Sequence, residues 1–267
     1  MTRADAPSTH RLGWTLATLA GWMAITFLGA WLFHPGEESL DELVTSGISW
    51  QLVAACIFLV AMIRWQGWHD LGFRSPAPGT LRLLWLPLLM VGLLLLLAAA
   101  AGLPPISAIL FILVNTLVVG FSEETMFRGV LFRTLWGRMS VWPAILVTSV
   151  LFGAVHVLNG FITGSFGNAM AQAVLAGCSG ILFVAILLRT GSIWVAIVYH
   201  ALWDTATFLV VAGALTSDEA TQASETASVG GVAATLMPLL LVLPNLLYAL
   251  WLLRKVHKDP PPGAQTL

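Results

Sequence analysis

Long runs of apolar residues alternate with short polar segments along most of the chain. A transmembrane α-helix needs about 20 consecutive apolar residues to cross the hydrocarbon core of a bilayer. Eight runs approach this length, at residues 12–33, 46–64, 82–103, 107–133, 141–159, 169–188, 192–213 and 232–253. The pattern therefore predicts an all-α integral membrane protein with about eight transmembrane helices.

The composition agrees with a membrane location. Hydrophobic residues make up 58% of the 267 residues and charged residues only 9%, whereas a soluble domain carries about 25% charged residues. No loop is long enough for a soluble domain, so residues 1–267 are predicted to form a single membrane domain. The polar segment 217–231 is expected to be an external loop, and the Pro-rich segment 255–267 a disordered tail.

The loops at the two ends of the predicted helices differ in charge. Apart from Arg128, every Lys and Arg lies at alternate ends: Arg3, Arg11, Arg64, Arg74, Arg82, Arg133, Arg138, Arg189, Arg254, Lys255 and Lys258. The other loops carry only acids: Glu37, Glu38, Asp41, Glu42, Asp218, Glu219 and Glu225. The positive-inside rule then predicts that both termini are cytoplasmic. A missed or surplus span would destroy the alternation, which supports an even count.

Ionisable side chains within the apolar runs are few and fall on three of them. The fourth run holds Glu123, Glu124 and Arg128, the fifth holds His156, and the seventh holds His200 and Asp204. Such residues are costly in hydrocarbon and are usually functional. Glu124 and Arg128 are four residues apart on one helix face and can pair, as can His200 and Asp204. Glu123 points elsewhere and needs a partner from another helix. The side chains of Glu123, His156, His200 and Asp204 are all expected near the middle of the membrane, where they can meet in one cavity.

These residue types fit more than one chemistry. A carboxylate facing a histidine is suited to general-base activation of water, and a second histidine with an Asx side chain can stabilise an oxyanion. The same groups can instead bind a metal such as zinc, although the His-Glu-x-x-His pattern is absent. A proton-coupled transporter also uses embedded Glu, His and Asp, but its paired broken helices in two repeat halves are not evident.

Three short motifs carry a resemblance to a known family. Glu123–Arg128 has the pattern EExxxR, Phe152–His156 the pattern FxxxH, and His200–Asp204 the pattern HxxxD. In this order they resemble the motifs of the CPBP family of intramembrane proteases (CAAX proteases and bacteriocin-processing enzymes), also called the Abi family. The resemblance covers about residues 107–210, which would form the catalytic core.

The resemblance implies an eight-helix or similar fold whose site opens toward the cytoplasm. It assigns water activation to Glu123 and His156 and oxyanion stabilisation to His200 and Asp204. Glu124, Arg128 and Phe152 would support the site. If the enzyme depends on a divalent metal such as zinc, the implied ligands are Glu123, His156 and His200. Asp204 departs from the family, whose third motif most often ends in Asn. A carboxylate donates no hydrogen bond unless it is protonated, which favours a metal-binding or orienting role for Asp204 over an oxyanion role.

We therefore expect an intramembrane endopeptidase, of glutamic or metal-dependent type, in the cell membrane. Its substrate would be a membrane-associated protein or peptide, of CAAX type or leader-peptide type, and no nucleic-acid partner is expected. The alternative is a catalytically inactive membrane scaffold or regulator. Retention of the first Glu, both His residues and the Asx position favours the enzyme.

Overall fold

An apolar segment inside a bilayer folds into a helix because its backbone N–H and C=O groups must form hydrogen bonds with each other. The computed structural model describes residues 9–33, 36, 38–216 and 231–258, and within them every regular element is a helix. The predicted all-α fold is confirmed. The external loop predicted at 217–231 and the tail predicted at 255–267 lie outside the described residues, except for Gly231 and residues 255–258.

The described residues contain nine helices of more than one turn. They are α1 His10–Phe33, α2 Leu40–Thr45, α3 Trp50–Gln66, α4 Trp85–Ala101, α5 Ile106–Trp136, α6 Val141–Thr163, α7 Phe166–Thr190, α8 Ile193–Thr216 and α9 Gly231–Leu253. A single turn, Thr80–Leu83, precedes α4, and a 3₁₀ turn, Val256–Lys258, follows α9. Six of these helices, α1 and α5 to α9, are long and apolar enough to cross a membrane over all or most of their length. The helices α3 and α4 are also apolar and have 17 residues each. Together they correspond to the eight predicted spans.

Three of the long helices change their winding along their length. A π segment, Ala24–Leu28, interrupts α1, and a second π segment, Thr125–Leu131, begins directly after Glu124 in α5. In α6, a 3₁₀ segment runs from His156 to Asn159. Such irregular turns often mark functional sites, and two of these segments adjoin the predicted motifs.

The basic loops converge on one end of the helix bundle. An Arg11 Nη2 atom lies 2.8 Å from Asp70 Oδ1. Arg74 Nε donates to the carbonyl oxygen of Gly191 at 2.6 Å. The first turn of α1 and the loops after α3 and α7 therefore lie on one face, here called the basic end. The positive-inside rule predicts that this end is cytoplasmic.

The opposite end is formed by different loops. Ala30 at the end of α1, Leu43 in α2 and Ile162 at the end of α6 pack into one buried cluster. Because α2 carries Asp41 and Glu42, this face is called the acidic end. A capping box starts α2, since the backbone N–H of Ser39 donates to Glu42 Oε2 at 2.8 Å and the Ser39 hydroxyl accepts from the Glu42 N–H at 3.3 Å. The sequence pattern did not predict this short helix.

Small residues allow the helices that carry the motifs to approach closely. A Cβ atom on Gly120 of α5 would lie 2.9 Å from the carbonyl oxygen of Ile197 in α8. Thr116 and Thr205 join the same two helices by a hydroxyl hydrogen bond of 2.8 Å. This close packing sets the EExxxR motif of α5 beside the HxxxD motif of α8.

Asn115 fixes the turn between α2 and α3 to the side of α5. Its Oδ1 accepts from the Ser49 N–H at 3.0 Å, and its Nδ2 donates to the carbonyl oxygens of Val44 at 3.1 Å and Gly47 at 2.7 Å. Polar side chains that bond across helices are a common means of packing in membranes. The amide therefore holds α2 in its position at the acidic end.

The Asn115→Ala variant is expected to unfold at a lower temperature than the parent. It leaves buried backbone groups without partners, and each such group costs about 1–3 kcal/mol. Asn115→Asp keeps the acceptor for Ser49 but sets an acceptor oxygen against two carbonyl oxygens and buries a carboxyl group, so its midpoint should be no higher than that of Asn115→Ala. Thermal unfolding in detergent measures both, with the exposed Ser46→Ala change as the control. An unchanged midpoint for Asn115→Ala would show that apolar contacts alone hold the turn.

Candidate active site

A cavity of about 340 Å³ lies among the helices and contains the four side chains predicted to be catalytic. Glu123 comes from α5, His156 from α6, and His200 and Asp204 from α8. Phe152 also lines the cavity, while Glu124 and Arg128 lie behind it with no exposed surface. The structure thus brings together residues from three separate helices.

Glu124 is the centre of a buried network. Its Oε1 atom lies 2.9 Å from Arg128 Nη1 and 2.9 Å from His200 Nδ1. The pairing of Glu124 with Arg128 was predicted from their spacing and is confirmed. The bond to His200 crosses between helices and has no counterpart in the sequence pattern. Because an ionised carboxylate only accepts hydrogen bonds, Nδ1 of His200 is the donor, which fixes the orientation of the imidazole ring.

Two aromatic rings surround the buried cation. The guanidinium carbon of Arg128 lies 3.9 Å from the ring centroid of Phe152 and 4.9 Å from that of Phe183. Aromatic faces attract cations most strongly where water is excluded. Phe183 also stacks on the His200 ring, with centroids 4.6 Å apart and planes 20° apart. Phe183 lies in an apolar run of α7 that gives no signal of this role, so sequence reasoning missed it.

Glu123 faces the cavity without a direct partner. Its Oε2 atom is buried and makes no hydrogen bond within the described part of the chain. Nε2 of His200 lies 3.8 Å from this oxygen, which is beyond hydrogen-bonding distance. His156 is close enough to interact with it electrostatically. Glu123 therefore offers a buried acceptor to a molecule in the cavity.

The tautomer of His156 follows from its contact with the preceding turn. Nδ1 of His156 lies 2.7 Å from the carbonyl oxygen of Phe152. A carbonyl oxygen can only accept, so Nδ1 carries the hydrogen, and the neutral ring has its lone pair on Nε2. The FxxxH spacing thus leaves Nε2 free to accept a proton or a hydrogen bond.

Asp204 lies on the other side of His200. Its Oδ2 atom is 3.3 Å from His200 Nε2, and its side chain is 24% exposed. His200 therefore has Glu124 at one ring nitrogen and Asp204 at the other. Both contacts hold the ring in the cavity wall.

A bound metal ion would need several of these side chains to converge on one point. Among the described residues, no group of three or more His, Cys, Asp or Glu side chains is arranged to hold a metal. Both nitrogens of His200 face carboxylates, at 2.9 and 3.3 Å. Each ring nitrogen that His200 would offer to a metal therefore already faces a carboxylate oxygen. The metal-dependent alternative stays a prediction.

A known protein family is similar to the part of the chain that carries the three motifs. Residues 105–206 match the family described as "Type II CAAX prenyl endopeptidase Rce1-like". The match includes all three motifs, and it confirms the predicted resemblance for this part of the chain.

A bacterial protein is also similar to part of the chain. The "Putative membrane peptidase YdiL" of Bacillus subtilis (strain 168) is 30% identical over 102 residues. The aligned region covers 38% of this chain and 36% of that protein, so the chain matches only about a third of the length of its relative. No solved structure matches the chain significantly.

Proposed function

We propose that the chain is an intramembrane endopeptidase that hydrolyses a peptide bond of a membrane-associated protein or peptide. The observation that carries the proposal is the pair formed by Glu123 and His156. A buried carboxylate oxygen that has no hydrogen-bond partner among the described residues and an imidazole with an accepting Nε2 line one cavity inside a helical membrane protein. The match to an endopeptidase family over residues 105–206 supports the same activity.

The chemistry assigned to this pair is attack by water on a peptide carbonyl carbon. Glu123 and His156 hold the water, and Glu123 accepts one of its protons as the carbon–oxygen bond forms. The tetrahedral intermediate then collapses with cleavage of the carbon–nitrogen bond. The proton held by Glu123 passes to the leaving amine, so one water is consumed and a carboxyl and an amine terminus are produced. A single group that acts first as base and then as acid satisfies the proton balance.

His200 is assigned to the oxyanion that develops during attack. Glu124 holds the ring through Nδ1. In the imidazolium form the Nε2–H, which lies 3.3 Å from Asp204 Oδ2 before substrate binds, would be shared with the developing oxyanion. A donor aimed at the developing negative charge typically contributes about 2.7–4 kcal/mol to the transition state. Glu124 and Arg128 act through His200 as positioning residues, because neither lines the cavity.

The substrate would be of CAAX type or leader-peptide type, and the chain would act in the cell membrane. The test is the appearance of new peptide termini, measured by mass spectrometry of membrane proteins incubated with the purified chain in liposomes. The double change Glu123→Ala and His156→Ala provides the inactive reference. Identical termini for the two proteins would instead favour the scaffold or regulator.

The Asp204→Asn variant is expected to distinguish metal-free from metal-dependent chemistry. In metal-free chemistry the amide restores the commoner family residue and adds a neutral N–H donor beside His200, so the cleavage rate should hold or rise. If Asp204 instead orients a metal ligand, metal affinity or activity should fall by about 10- to 100-fold. Cleavage rate and bound metal are measured together for the variant and the parent. We expect the metal-free result, and a variant that loses both metal and activity would contradict it.

A further inference from the structure

Arg133, in the last turn of α5, is a buried cation that forms no ion pair among the described residues. It is 8% exposed, and its Nε atom makes no hydrogen bond within the same part of the chain. Its guanidinium carbon lies 5.9 Å from the ring centroid of Trp136, a contact that offsets only part of the cost of burying a charge. Because a buried charge without a partner destabilises the folded state, an anion bound at this position would stabilise the protein.

The charged side chains around Arg133 add to the excess of positive charge. Arg11 and Arg74 are both close enough to repel it, and Asp70 is close enough to attract it. The carboxylate of Asp70 is already paired with Arg11, whose Nη2 lies 2.8 Å from Oδ1. Arg11, Arg74 and Arg133 are here called the arginine cluster. The cluster and its one acid have a net positive charge, which attracts an anion from outside.

The arginine cluster lies where helices meet and is held there by hydrogen bonds. Arg11 Nε donates to Thr134 Oγ1 at 3.2 Å, which joins the first turn of α1 to α5. Arg74 Nε bonds to the backbone at the end of α7. Between them the loop after α3 passes over Arg133 at Gly72, where a Cβ atom would lie 3.5 Å from Nη2. Because Gly72 has no side chain, that nitrogen is not covered.

The level of the arginine cluster in the membrane indicates which anion it meets. Arg133 lies three residues before the end of a membrane-spanning helix, at the basic end. Trp14 of α1 and Trp65 of α3 are 37% and 66% exposed, and their rings pack edge to face with centroids 4.8 Å apart. Exposed Trp side chains near helix ends are typical of the headgroup region. The anions at this level are the phosphates of lipid headgroups.

From this arrangement we propose that the arginine cluster binds the phosphate group of an anionic phospholipid in the cytoplasmic leaflet. Guanidinium groups suit phosphate because their N–H donors match two phosphate oxygens at once. Basic pockets between transmembrane helices on the cytoplasmic side bind anionic headgroups for this reason. The site is separate from the cavity that holds Glu123, since no member of the cluster lines it. Lipid binding here needs no hydrolysis and is independent of the proposed function.

The test measures the thermal midpoint of the full chain, purified and delipidated in a neutral detergent, as lipid is added. The probes are phosphatidylglycerol, phosphatidylcholine and inorganic phosphate at equal concentrations. A ligand that binds only the folded state raises the midpoint in a saturable way. We expect this rise with phosphatidylglycerol, and a much smaller one with phosphatidylcholine, whose choline cancels the headgroup charge. Inorganic phosphate should also have little effect, because it is not held at the membrane surface.

Arg133→Met is the variant that separates lipid binding from a structural role, since Met keeps an unbranched side chain without the charge. Without lipid its midpoint should equal or exceed that of the parent, because an unpaired buried charge is removed. Its apparent affinity for phosphatidylglycerol should fall at least about tenfold, because the charge-assisted hydrogen bonds are lost. Arg74→Gln, at an exposed position, should weaken binding by about fivefold. Arg64→Gln is the matched control, an exposed Arg of the same end, and should bind as the parent does.

Several results would overturn the proposal. An equal rise with phosphatidylcholine would show that the headgroup charge is irrelevant, and an equal rise with inorganic phosphate would show that the anion need not be a lipid. Equal loss of affinity in Arg64→Gln and Arg133→Met would indicate diffuse surface charge rather than a site. Parental affinity in Arg133→Met or Arg74→Gln would exclude the arginine cluster. A lipid-free midpoint for Arg133→Met below that of the parent would show that the cation already has its partner within the fold.

Discussion

The Glu123→Gln variant is expected to fold as the parent does and to cleave its substrate about 10²–10⁴-fold more slowly. Gln has nearly the shape of Glu but cannot accept the proton of the attacking water at neutral pH. Since Glu123 Oε2 makes no hydrogen bond within the described residues, the change breaks no contact that supports the fold. The measurement is the rate at which new peptide termini form, together with the thermal midpoint in detergent.

The neighbouring residue provides the matched control. Glu124→Gln makes the same change at a fully buried residue whose carboxylate bonds to both Arg128 and His200. It should lower the thermal midpoint, whereas Glu123→Gln should not. If Glu123→Gln retains parental cleavage, water activation by this residue is wrong. If both variants lose stability equally, Glu123 has a structural role instead.

The Arg128→Ala variant is expected to be strongly destabilised, by about 3–5 kcal/mol, because it leaves a buried charge on Glu124 without its cation. It also removes the cation that lies between the rings of Phe152 and Phe183. Protein yield and thermal midpoint measure the effect. Arg64→Ala is the matched control, since Arg64 is exposed at the end of α3 and surface changes shift stability by only about 0.5 kcal/mol or less.

Removing both members of the buried pair separates stability from activity. The double change Glu124→Leu and Arg128→Leu leaves no unpaired charge and should unfold at a higher temperature than Arg128→Ala. It should nevertheless cleave slowly, because His200 loses the bond that orients its ring. Normal yield, midpoint and cleavage for Arg128→Ala would remove the case for a stabilising pair.

The membrane architecture was predictable because it follows from local pattern. A run of apolar residues needs no tertiary partner to become a membrane helix, since the bilayer itself is the apolar solvent. The eight predicted spans correspond to the helices observed, with boundaries that differ by a few residues, as for 107–133 against Ile106–Trp136. The short helix α2 was missed because it is stabilised by a cap and by Asn115 rather than by an apolar run.

The candidate residues could also be found from the sequence, because ionisable groups inside apolar runs are conspicuous. Spacing of four residues was enough to pair Glu124 with Arg128, since neighbours on one helix face are set by helix geometry. Spacing could not show that Glu124 Oε1 is shared with His200, 76 positions away, or that Phe183 stacks on that ring. Contacts between helices depend on the rotation and depth of each helix, which local periodicity leaves free.

The helices, the alternation of charge between the two ends and the side chains available for chemistry follow from the local sequence. That Glu123 faces the cavity while Glu124 lies behind it follows only from how the helices pack. The same is true of the cavity wall, which includes residues of α2 at the acidic end. The physical reason is that helix formation in a membrane is local, whereas the position of a cavity depends on how all the helices pack together.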